Sequence, residues 1–173
     1  MVDIYIGIGS NIDPFKNIPA ALVVLKGAFP SIRFSRVFES EAIGFEGDNF
    51  LNLVAFFSSE DVLCKTADVN TQSESILQLI KQLKTIENNL GRERGSKKFS
   101  DRNIDIDILL FGELEITAPI ELPRGEILEN AYVLWPLSEL KPELMPPNNR
   151  ITYSELWEQF DKSLQKLSPV ALV

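Results

Sequence analysis

The chain has 173 residues, of which 45% are hydrophobic and 24% are charged, so we expect one globular domain spanning residues 1–173. It contains no histidine and a single cysteine, Cys64, which excludes histidine-dependent catalysis, an intramolecular disulfide and a cysteine-based zinc site. Its formal net charge of -8 argues against sequence-independent binding of nucleic acid or of an anionic membrane.

The sequence predicts no membrane anchor. The first nine residues form a short apolar strand pattern without a basic flank. No later segment approaches the roughly 18 to 20 unbroken apolar residues that a membrane span needs. We therefore expect a cytoplasmic protein, monomeric by default, whose partners are small molecules.

The first half of the chain predicts the order strand, helix, strand, strand. Alternating isoleucines form a period-two strand that stops at Gly9-Ser10-Asn11. Asp13-Pro14 then predicts a helix N-cap followed by proline at the first helical position. The predicted elements are a strand through Ile4, Ile6 and Ile8, a helix over residues 14–28 that buries Ala21, Leu22 and Leu25, and strands over residues 32–39 and 49–58.

The second half adds a helix and a strand before a mixed C-terminal part. A polar connection over residues 61–75 precedes apolar residues at three- and four-residue steps, which predict an amphipathic helix closed by Gly91. The remaining predictions are a strand over 103–111, a short hairpin partner over 113–116, an apolar strand or turn over 133–137 and a helix over 153–166. The order through residue 111 predicts an α+β fold with a ferredoxin-like βαββαβ core and extra C-terminal strand and helices.

Two carboxylates share one face of the strand over residues 103–111. Successive strand side chains alternate faces, so Asp105 and Asp107 lie on the same side, roughly 6.6 Å apart along the chain. Oxygen ligands of this kind suit Mg²⁺, which proteins commonly hold with one or two carboxylates together with substrate phosphates. Taken alone, the pair is equally well explained as the solvated face of an edge strand.

A basic segment precedes these aspartates. Residues 92–102 carry Arg92, Arg94, Lys97, Lys98 and Arg102 against only two acids. Guanidinium groups match phosphate oxygens, so cations beside a carboxylate pair favour a phosphate ligand, although a surface network of ion pairs is the competing explanation. Glu87, near the end of the preceding helix, either extends the carboxylate set or pairs with Arg94 or Lys84.

The common nucleotide motifs are absent. The segment from Gly7 to Ile12 begins like a dinucleotide-binding fingerprint, but Ile12 stands where its third glycine is required. No lysine follows for a P-loop. The segment is therefore interpreted as a tight turn between a strand and a helix.

Several spaced motifs resemble those of the 6-hydroxymethyl-7,8-dihydropterin pyrophosphokinase family over nearly the whole chain. They are Gly9-Ser10-Asn11, Phe50-Leu51-Asn52, Glu87-x4-Arg92-x-Arg94, Arg102-x2-Asp105-x-Asp107 with the following Ile108-Leu109-Leu110-Phe111-Gly112, and Tyr132-Val133-Leu134-Trp135-Pro136-Leu137. The resemblance implies Mg²⁺-dependent transfer of diphosphate from ATP to the pterin hydroxymethyl group in folate biosynthesis. Such a transfer depends on positioning and charge stabilisation, so it does not require histidine.

The resemblance also implies a set of roles for individual residues. Asp105 and Asp107 would hold two Mg²⁺ ions, and with Arg92 and Arg102 they would form the catalytic group. ATP would contact Glu87, Arg92, Arg94, Lys98, Arg102, Ile108 and Arg124. The pterin would contact Ser40, Ile43, Gly44, Phe50, Asn52 and Tyr132, and residues 95–101 would form a lid.

The chain departs from the family pattern at several positions. Arg124 stands where the family has a histidine near the phosphates, and Asn130 where it has an arginine. Further departures are Asp101 beside the phosphate clamp, Phe99 for a lid tryptophan, Glu41-Ala42 for a double proline and Tyr132 for a phenylalanine. They leave two alternatives open, a diverged paralogue that acts on another pterin and a non-catalytic protein that binds ATP or pterin.

Overall fold

A computed structural model describes residues 1–42, 47–63, 72–91 and 103–172. In chain order its strands are β1 (Asp3–Ser10), β2 (Arg33–Phe34), β3 (Val37–Ser40), β4 (Phe50–Ser58), β5 (Asp105–Phe111) and β6 (Leu167–Val170). Its helices are α1 (Pro14–Ala28), α2 (Ser59–Leu63), α3 (Gln72–Asn89), α4 (Glu126–Glu129), α5 (Ala131–Leu140) and α6 (Tyr153–Gln159).

The strands form one antiparallel sheet in the order β5-β1-β4-β3-β6, and β2 also pairs with β4. The hydrophobic strands β1 and β4 lie at its centre. The first four strands in this order, with α1 and α3 as the connecting helices, form the predicted βαββαβ core. The α+β fold class is confirmed, and β6 adds a strand at the β3 edge.

The sheet separates two hydrophobic layers. On one side, here the α3 face, the isoleucines of β1 pack with buried residues of α1 and α3 such as Leu25, Leu79 and Leu83. On the other side, here the α5 face, Tyr5, Val54 and Leu109 pack with residues of α4, α5 and α6. Among the described helices, none is both long and apolar enough to cross a membrane.

The bounds of α1 agree with the prediction, but its N-terminus is built differently. Asp13 occupies the N-cap position with a left-handed backbone (φ 41°), and its side chain makes no capping hydrogen bond. Its backbone carbonyl instead accepts from the amides of Lys16 and Asn17. Pro14 takes the first helical position as predicted, where its missing N–H costs nothing.

The predicted strand over residues 32–39 is two strands, because the side chain of Ser35 interrupts the ladder. The Val54 amide donates to the Ser35 hydroxyl at 3.0 Å, and that hydroxyl donates to the Arg36 carbonyl at 2.7 Å. The serine side chain thereby replaces a backbone partner between β2 and β3. Such local side-chain competition with a ladder leaves no signature in hydrophobic periodicity.

The predicted connection over residues 61–75 is partly helical. It contains the end of α2 and the first turn of α3, and residues 64–71 between them, with Cys64, lie outside the described residues. At the other end of α3 the prediction is confirmed, since Gly91 has a φ of +91° and its amide donates to the Asn88 carbonyl. That conformation favours glycine.

The C-terminal predictions need more correction. Residues 113–116 form no strand, only an isolated bridge between Ile116 and Leu122. The apolar run 133–137 is helical, within α5, and it buries side chains both against the sheet and toward α6, so no single-sided pattern reveals the helix. The predicted helix over 153–166 ends at Gln159, because Ser163 hydrogen-bonds Asp161 in a turn that leads into β6.

Candidate active site

The register of the sheet brings Asp105 and Asn52 to the same face. Gly9 of β1 is paired with Asp105 on one side and with Asn52 on the other. Directly paired residues point to the same side of a sheet, and two inter-strand spacings amount to about 10 Å. The carboxylate pair and the amide predicted to bind the pterin therefore lie on the α5 face, with β1 between them.

Gly9 makes room between these two groups. A Cβ atom at Gly9 would lie 3.0 Å from Oδ1 of Asn52, closer than most such contacts allow. The sequence pattern suggested a turn at this glycine, but it lies in β1 and its missing side chain leaves space for the Asn52 amide. Gly7 is paired with Asp107 in the same way that Gly9 is paired with Asp105.

Glu87 ties α3 to the strand between the two aspartates. The Ile106 amide donates to Oε1 of Glu87 at 2.8 Å, and the Glu87 side chain is buried, with 2% exposure. Glu87 approaches from the α3 face, whereas Asp105 and Asp107 point to the α5 face. The contact thus orients the strand that carries the pair, and the role of Glu87 toward ATP stays a prediction.

Arg124 brings a cation to the aspartates. Its backbone amide donates to the Leu109 carbonyl at 3.0 Å, which anchors the residue beside β5. Its guanidinium lies 2.7 Å from Oδ1 of Asp107 and 3.5 Å from Oε1 of Glu126. The chain therefore places a permanent positive charge beside Asp107.

Glu126 is a carboxylate near the site that the sequence did not single out. Burial raises the pKa of the Glu126 carboxyl, the negative charges of Asp107 and Asp105 raise it further, and Arg124 opposes the rise. The aspartates thus make a negative potential that reaches α4. One acid shortly after Arg124 in a loop is an ordinary surface pattern, so no sequence signal distinguishes it.

The donor set fits Mg²⁺ bound together with phosphate oxygens. Within the described residues there is no group of three or more acidic or cysteine side chains arranged to hold a metal ion. Asp105 and Asp107 are both partly exposed, so their carboxylates are accessible. Two accessible carboxylates that leave the remaining positions to water and to phosphate match the habits of Mg²⁺.

Four predicted pterin residues, Ser40, Phe50, Asn52 and Tyr132, lie on β3, β4 and α5. Asn52 and Ser40 are buried, and Nδ2 of Asn52 donates to the Ser40 hydroxyl at 2.9 Å. A carboxamide with one N–H used in this way still has a second donor and an acceptor with which to recognise a ring edge. Phe50, paired with Ser40, shares its face, and Tyr132 packs into the hydrophobic cluster on that same side of the sheet.

Ile108 lies on the opposite side. Its side chain is 4% exposed and belongs to the cluster on the α3 face. If Ile108 contacts a nucleotide bound near Asp107, it must therefore do so through its backbone.

Six predicted site residues fall outside the described residues: Ile43, Gly44, Arg92, Arg94, Lys98 and Arg102. The two described residues that flank the basic segment are in contact, because Nδ2 of Asn103 donates to the Gly91 carbonyl. Asn103 stands two residues before Asp105. Residues 92–102 therefore leave and rejoin the described chain next to the carboxylate pair.

A cavity of about 560 Å³ lies beyond Ser40 at the β3–β6 edge. It is lined by Trp135, Trp157, Lys162 and Gln165 among others, and the described residues that line it include neither Asp105 nor Asp107. Among the predicted pterin residues that the structure describes, only Ser40 lines the cavity. It is therefore distinct from the place where the carboxylates lie.

Comparison with known proteins points in the same direction as the geometry. Residues 5–142 match the model of the 7,8-dihydro-6-hydroxymethylpterin-pyrophosphokinase family. The chain is 30% identical over 175 residues to 2-amino-4-hydroxy-6-hydroxymethyldihydropteridine pyrophosphokinase of Haemophilus influenzae, covering 98% of this chain and 100% of the relative. It is 33% identical over 153 residues to the enzyme of that name from Porphyromonas gingivalis, covering 84% of this chain and 95% of the relative.

The chain is also similar to part of a longer protein of Dictyostelium discoideum named folic acid synthesis protein FOL1. The chain is 31% identical to it over 156 residues, which is 88% of this chain and 22% of that protein. All the site residues discussed above lie within residues 5–142, whereas α6 and β6 lie beyond that range.

Proposed function

Since the chain belongs to the 7,8-dihydro-6-hydroxymethylpterin-pyrophosphokinase family, we propose that it transfers the terminal diphosphate of ATP to 6-hydroxymethyl-7,8-dihydropterin and releases AMP in folate biosynthesis. The family makes it a transferase with ATP as co-substrate. The observation that carries the proposal for this site is the register that sets Asp105 and Asn52 on one face, two strands apart.

The carboxylate pair is the metal and phosphate end of the site. Asp105 and Asp107 hold two Mg²⁺ ions in this proposal, and bound magnesium would neutralise the phosphate charge that develops during transfer. Glu87 holds the strand that carries the pair in place through the Ile106 amide. The attacking oxygen belongs to the pterin hydroxymethyl group, so the protein supplies alignment and charge and no nucleophile.

Asn52 and its neighbours form the acceptor end. The Asn52 carboxamide recognises the ring edge, while Phe50 and Tyr132 provide apolar surface for its faces. Ile43 and Gly44 contribute backbone contacts. Because Asn52 lies about 10 Å from Asp105 across Gly9, a bicyclic ring bound at the amide directs its hydroxymethyl group toward the carboxylates.

The basic segment binds the ATP phosphates. Arg92 and Arg102 clamp the transferred group, and Arg94 and Lys98 add charge along the nucleotide. The contact between Gly91 and Asn103, which flank the segment next to β5, supports this arrangement. Arg124 contributes a further phosphate contact, since it is anchored next to Asp107, and Ile108 contributes its backbone.

Three further features belong to the proposal. The protein acts as a monomer, in the cytoplasm, and with small molecules as its partners. Its acidic net charge of -8 supports the exclusion of nucleic acid, because non-specific binding to phosphates requires excess lysine and arginine.

The direct test is a release assay. Purified protein with Mg²⁺, ATP and 6-hydroxymethyl-7,8-dihydropterin is expected to produce AMP in proportion to the pterin consumed. The same mixture without pterin is the control. AMP at the level of this control would contradict the proposal.

The carboxylates are tested by isosteric replacement. Asp105→Asn and Asp107→Asn are each expected to lower kcat by roughly a hundredfold or more, because metal-borne charge stabilisation amounts to several kcal/mol. The melting temperature should stay close to that of the wild type. Glu113→Gln, which neutralises an exposed carboxylate just beyond β5, is the matched control and should retain full activity.

A second candidate function follows from the ion pair between Arg124 and Asp107, which places an arginine on a proposed metal ligand. In this second candidate the protein is not catalytic and binds ATP or pterin without turnover. A panel of pterins assayed with Mg²⁺ and ATP separates the candidates, since turnover of any pterin eliminates the non-catalytic one. Turnover of a different pterin alone identifies a diverged enzyme.

A further inference from the structure

The C-terminal segment, residues 161–172, reaches the walls of the proposed pterin site although it lies beyond the range matched to the family. Its strand β6 pairs with β3, and Leu167 stands opposite Ser40. Ser40 in turn accepts the hydrogen bond from Asn52. The segment thereby supports the wall formed by β3 and β4.

Gln165 of this segment also holds the other wall. Its Oε1 accepts from the Ala131 amide at 2.8 Å, and its Nε2 donates to the Glu129 carbonyl at 2.9 Å. A third, longer contact joins Nε2 to Oδ1 of Asn130 at 3.4 Å. These three partners are consecutive residues at the junction of α4 and α5, immediately before Tyr132.

The junction needs such a partner. The first amides of a helix have no acceptor within the helix, and a side chain at the N-cap usually supplies one. Asn130 is the N-cap residue of α5 but makes no capping hydrogen bond with its side chain. Gln165 therefore serves as a cap delivered from a distant part of the chain.

The two attachments are close together along the segment. Gln165 and Leu167 are two residues apart, so their Cα atoms are separated by at most about 7 Å of extended chain. Through this short link the start of α5, with Tyr132, is tied to the end of β3, with Ser40. The link constrains the gap between the walls into which a flat ring must fit.

We propose that Gln165 is a positioning residue for pterin recognition, acting through the α4–α5 junction on the placement of Tyr132. This inference rests on the proposed function, because it assumes that Tyr132 packs against the pterin. When only a fraction of molecules hold Tyr132 correctly, the apparent affinity for the ring falls by that fraction. Arg124, the proposed ATP contact nearest to α4, is anchored separately by the Leu109 carbonyl and by Asp107, so binding of ATP should depend little on this junction.

The test uses Gln165→Met, which keeps the length of the side chain and removes its hydrogen bonds. Hydrogen exchange of the full-length protein without substrates should accelerate about tenfold at the Ala131 amide, which loses its acceptor. The KM for the pterin should rise about fivefold, while the KM for MgATP stays within about twofold. Gln165→Glu keeps an acceptor for the Ala131 amide, so its pterin KM should lie between those of the wild type and Gln165→Met.

Thr152→Ala is the matched control, because it removes hydrogen bonds at the start of α6 in the same C-terminal part of the chain. It should lower the melting temperature without a selective rise in the pterin KM. Unchanged exchange at Ala131, or equal effects of Gln165→Met and Thr152→Ala on the pterin KM, would overturn the inference. If the wild type releases no AMP, the proposed function is contradicted. If the wild type is active and Gln165→Met has the same pterin KM, only the positioning role of Gln165 is contradicted.

Discussion

At the scale of single residues, Arg124 has the clearest structural consequence among the positions where the sequence analysis expects a departure from the family pattern. A histidine loses its charge near neutral pH, whereas a guanidinium is always charged. Arg124 pairs with Asp107 at 2.7 Å and lies 3.5 Å from Glu126, so it is held between two carboxylates. The same guanidinium is well placed to bind a phosphate that enters beside Asp107.

Replacement of Arg124 tests that role. Arg124→Ala should raise the KM for MgATP by about tenfold to a hundredfold, because a hydrogen bond to a charged group contributes about 1.5 to 3 kcal/mol. Arg124→Lys keeps the charge but not the planar fork, so its KM for MgATP should lie between those of the wild type and Arg124→Ala. Steady-state kinetics at saturating pterin measure the effect. An unchanged KM would mean that Arg124 serves the ion pair and not the nucleotide.

Glu87 gives a second prediction at this scale. Glu87→Ala should lower the free energy of unfolding by about 1 to 3 kcal/mol, since the buried Ile106 amide loses its acceptor. Glu87→Gln retains a carbonyl oxygen at the same place and should lose less. Urea denaturation measures both. Equal losses for the two variants would show that the acceptor at Ile106 is not the source of the stability.

At the scale of secondary-structure elements, the short helix α6 depends on its N-terminus. Seven residues are too few for a stable helix by themselves. Thr152 and Glu155 form a capping box, in which the Thr152 amide donates to Glu155 at 2.8 Å and the Glu155 amide donates to Thr152 at 3.1 Å. This spacing of threonine and glutamate is a helix start that the sequence shows directly.

The capping box predicts a dependence of stability on pH. The hydrogen bonds from the Thr152 amide and hydroxyl lower the pKa of Glu155 below its ordinary value of 4.5. A carboxyl group whose pKa is lowered by folding stabilises the protein at a pH above its ordinary pKa. That stabilisation is lost as the pH falls through the pKa of the folded state. The wild type should therefore exceed Glu155→Gln in stability at pH 7 and lose this advantage in acid. Denaturation at several pH values measures the difference, and a constant difference would contradict the assignment.

At the scale of the whole molecule, one sheet carries both hydrophobic clusters. Aromatic contacts run from β3 through α5 to α6, with ring centroids of Phe38 and Trp135 4.7 Å apart and those of Trp135 and Trp157 5.0 Å apart. The cluster on the α3 face packs against the reverse side of the same strands. Loss of the sheet exposes both clusters at once.

A single cooperative transition is therefore expected for the whole chain. Both tryptophans belong to the α5 side, whereas the longest helices, α1 and α3, lie on the other side. Unfolding followed by tryptophan fluorescence and by far-ultraviolet circular dichroism should give the same midpoint. Two separate midpoints would contradict the prediction of one domain over residues 1–173.

Much of the core was predictable because its signals are local. The alternation in β1, the three- and four-residue steps in α3 and the glycine at position 91 each depend on a few neighbouring residues, and the structure confirms them. The break at Ser35 and the helix α5 were missed. Both depend on partners from elsewhere in the chain, the Val54 amide in one case and burial on two sides in the other.

The same division applies to the candidate site. The sequence by itself determined that Asp105 and Asp107 share a face, that a basic segment precedes them and that the motifs follow the family order, since strand periodicity and spacing are properties of the chain. Only the tertiary structure decided that Asn52 lies across Gly9 from Asp105, that Arg124 reaches Asp107 and that Gln165 caps α5. These contacts join residues distant in sequence, and strand register and packing, which no local pattern encodes, bring them together.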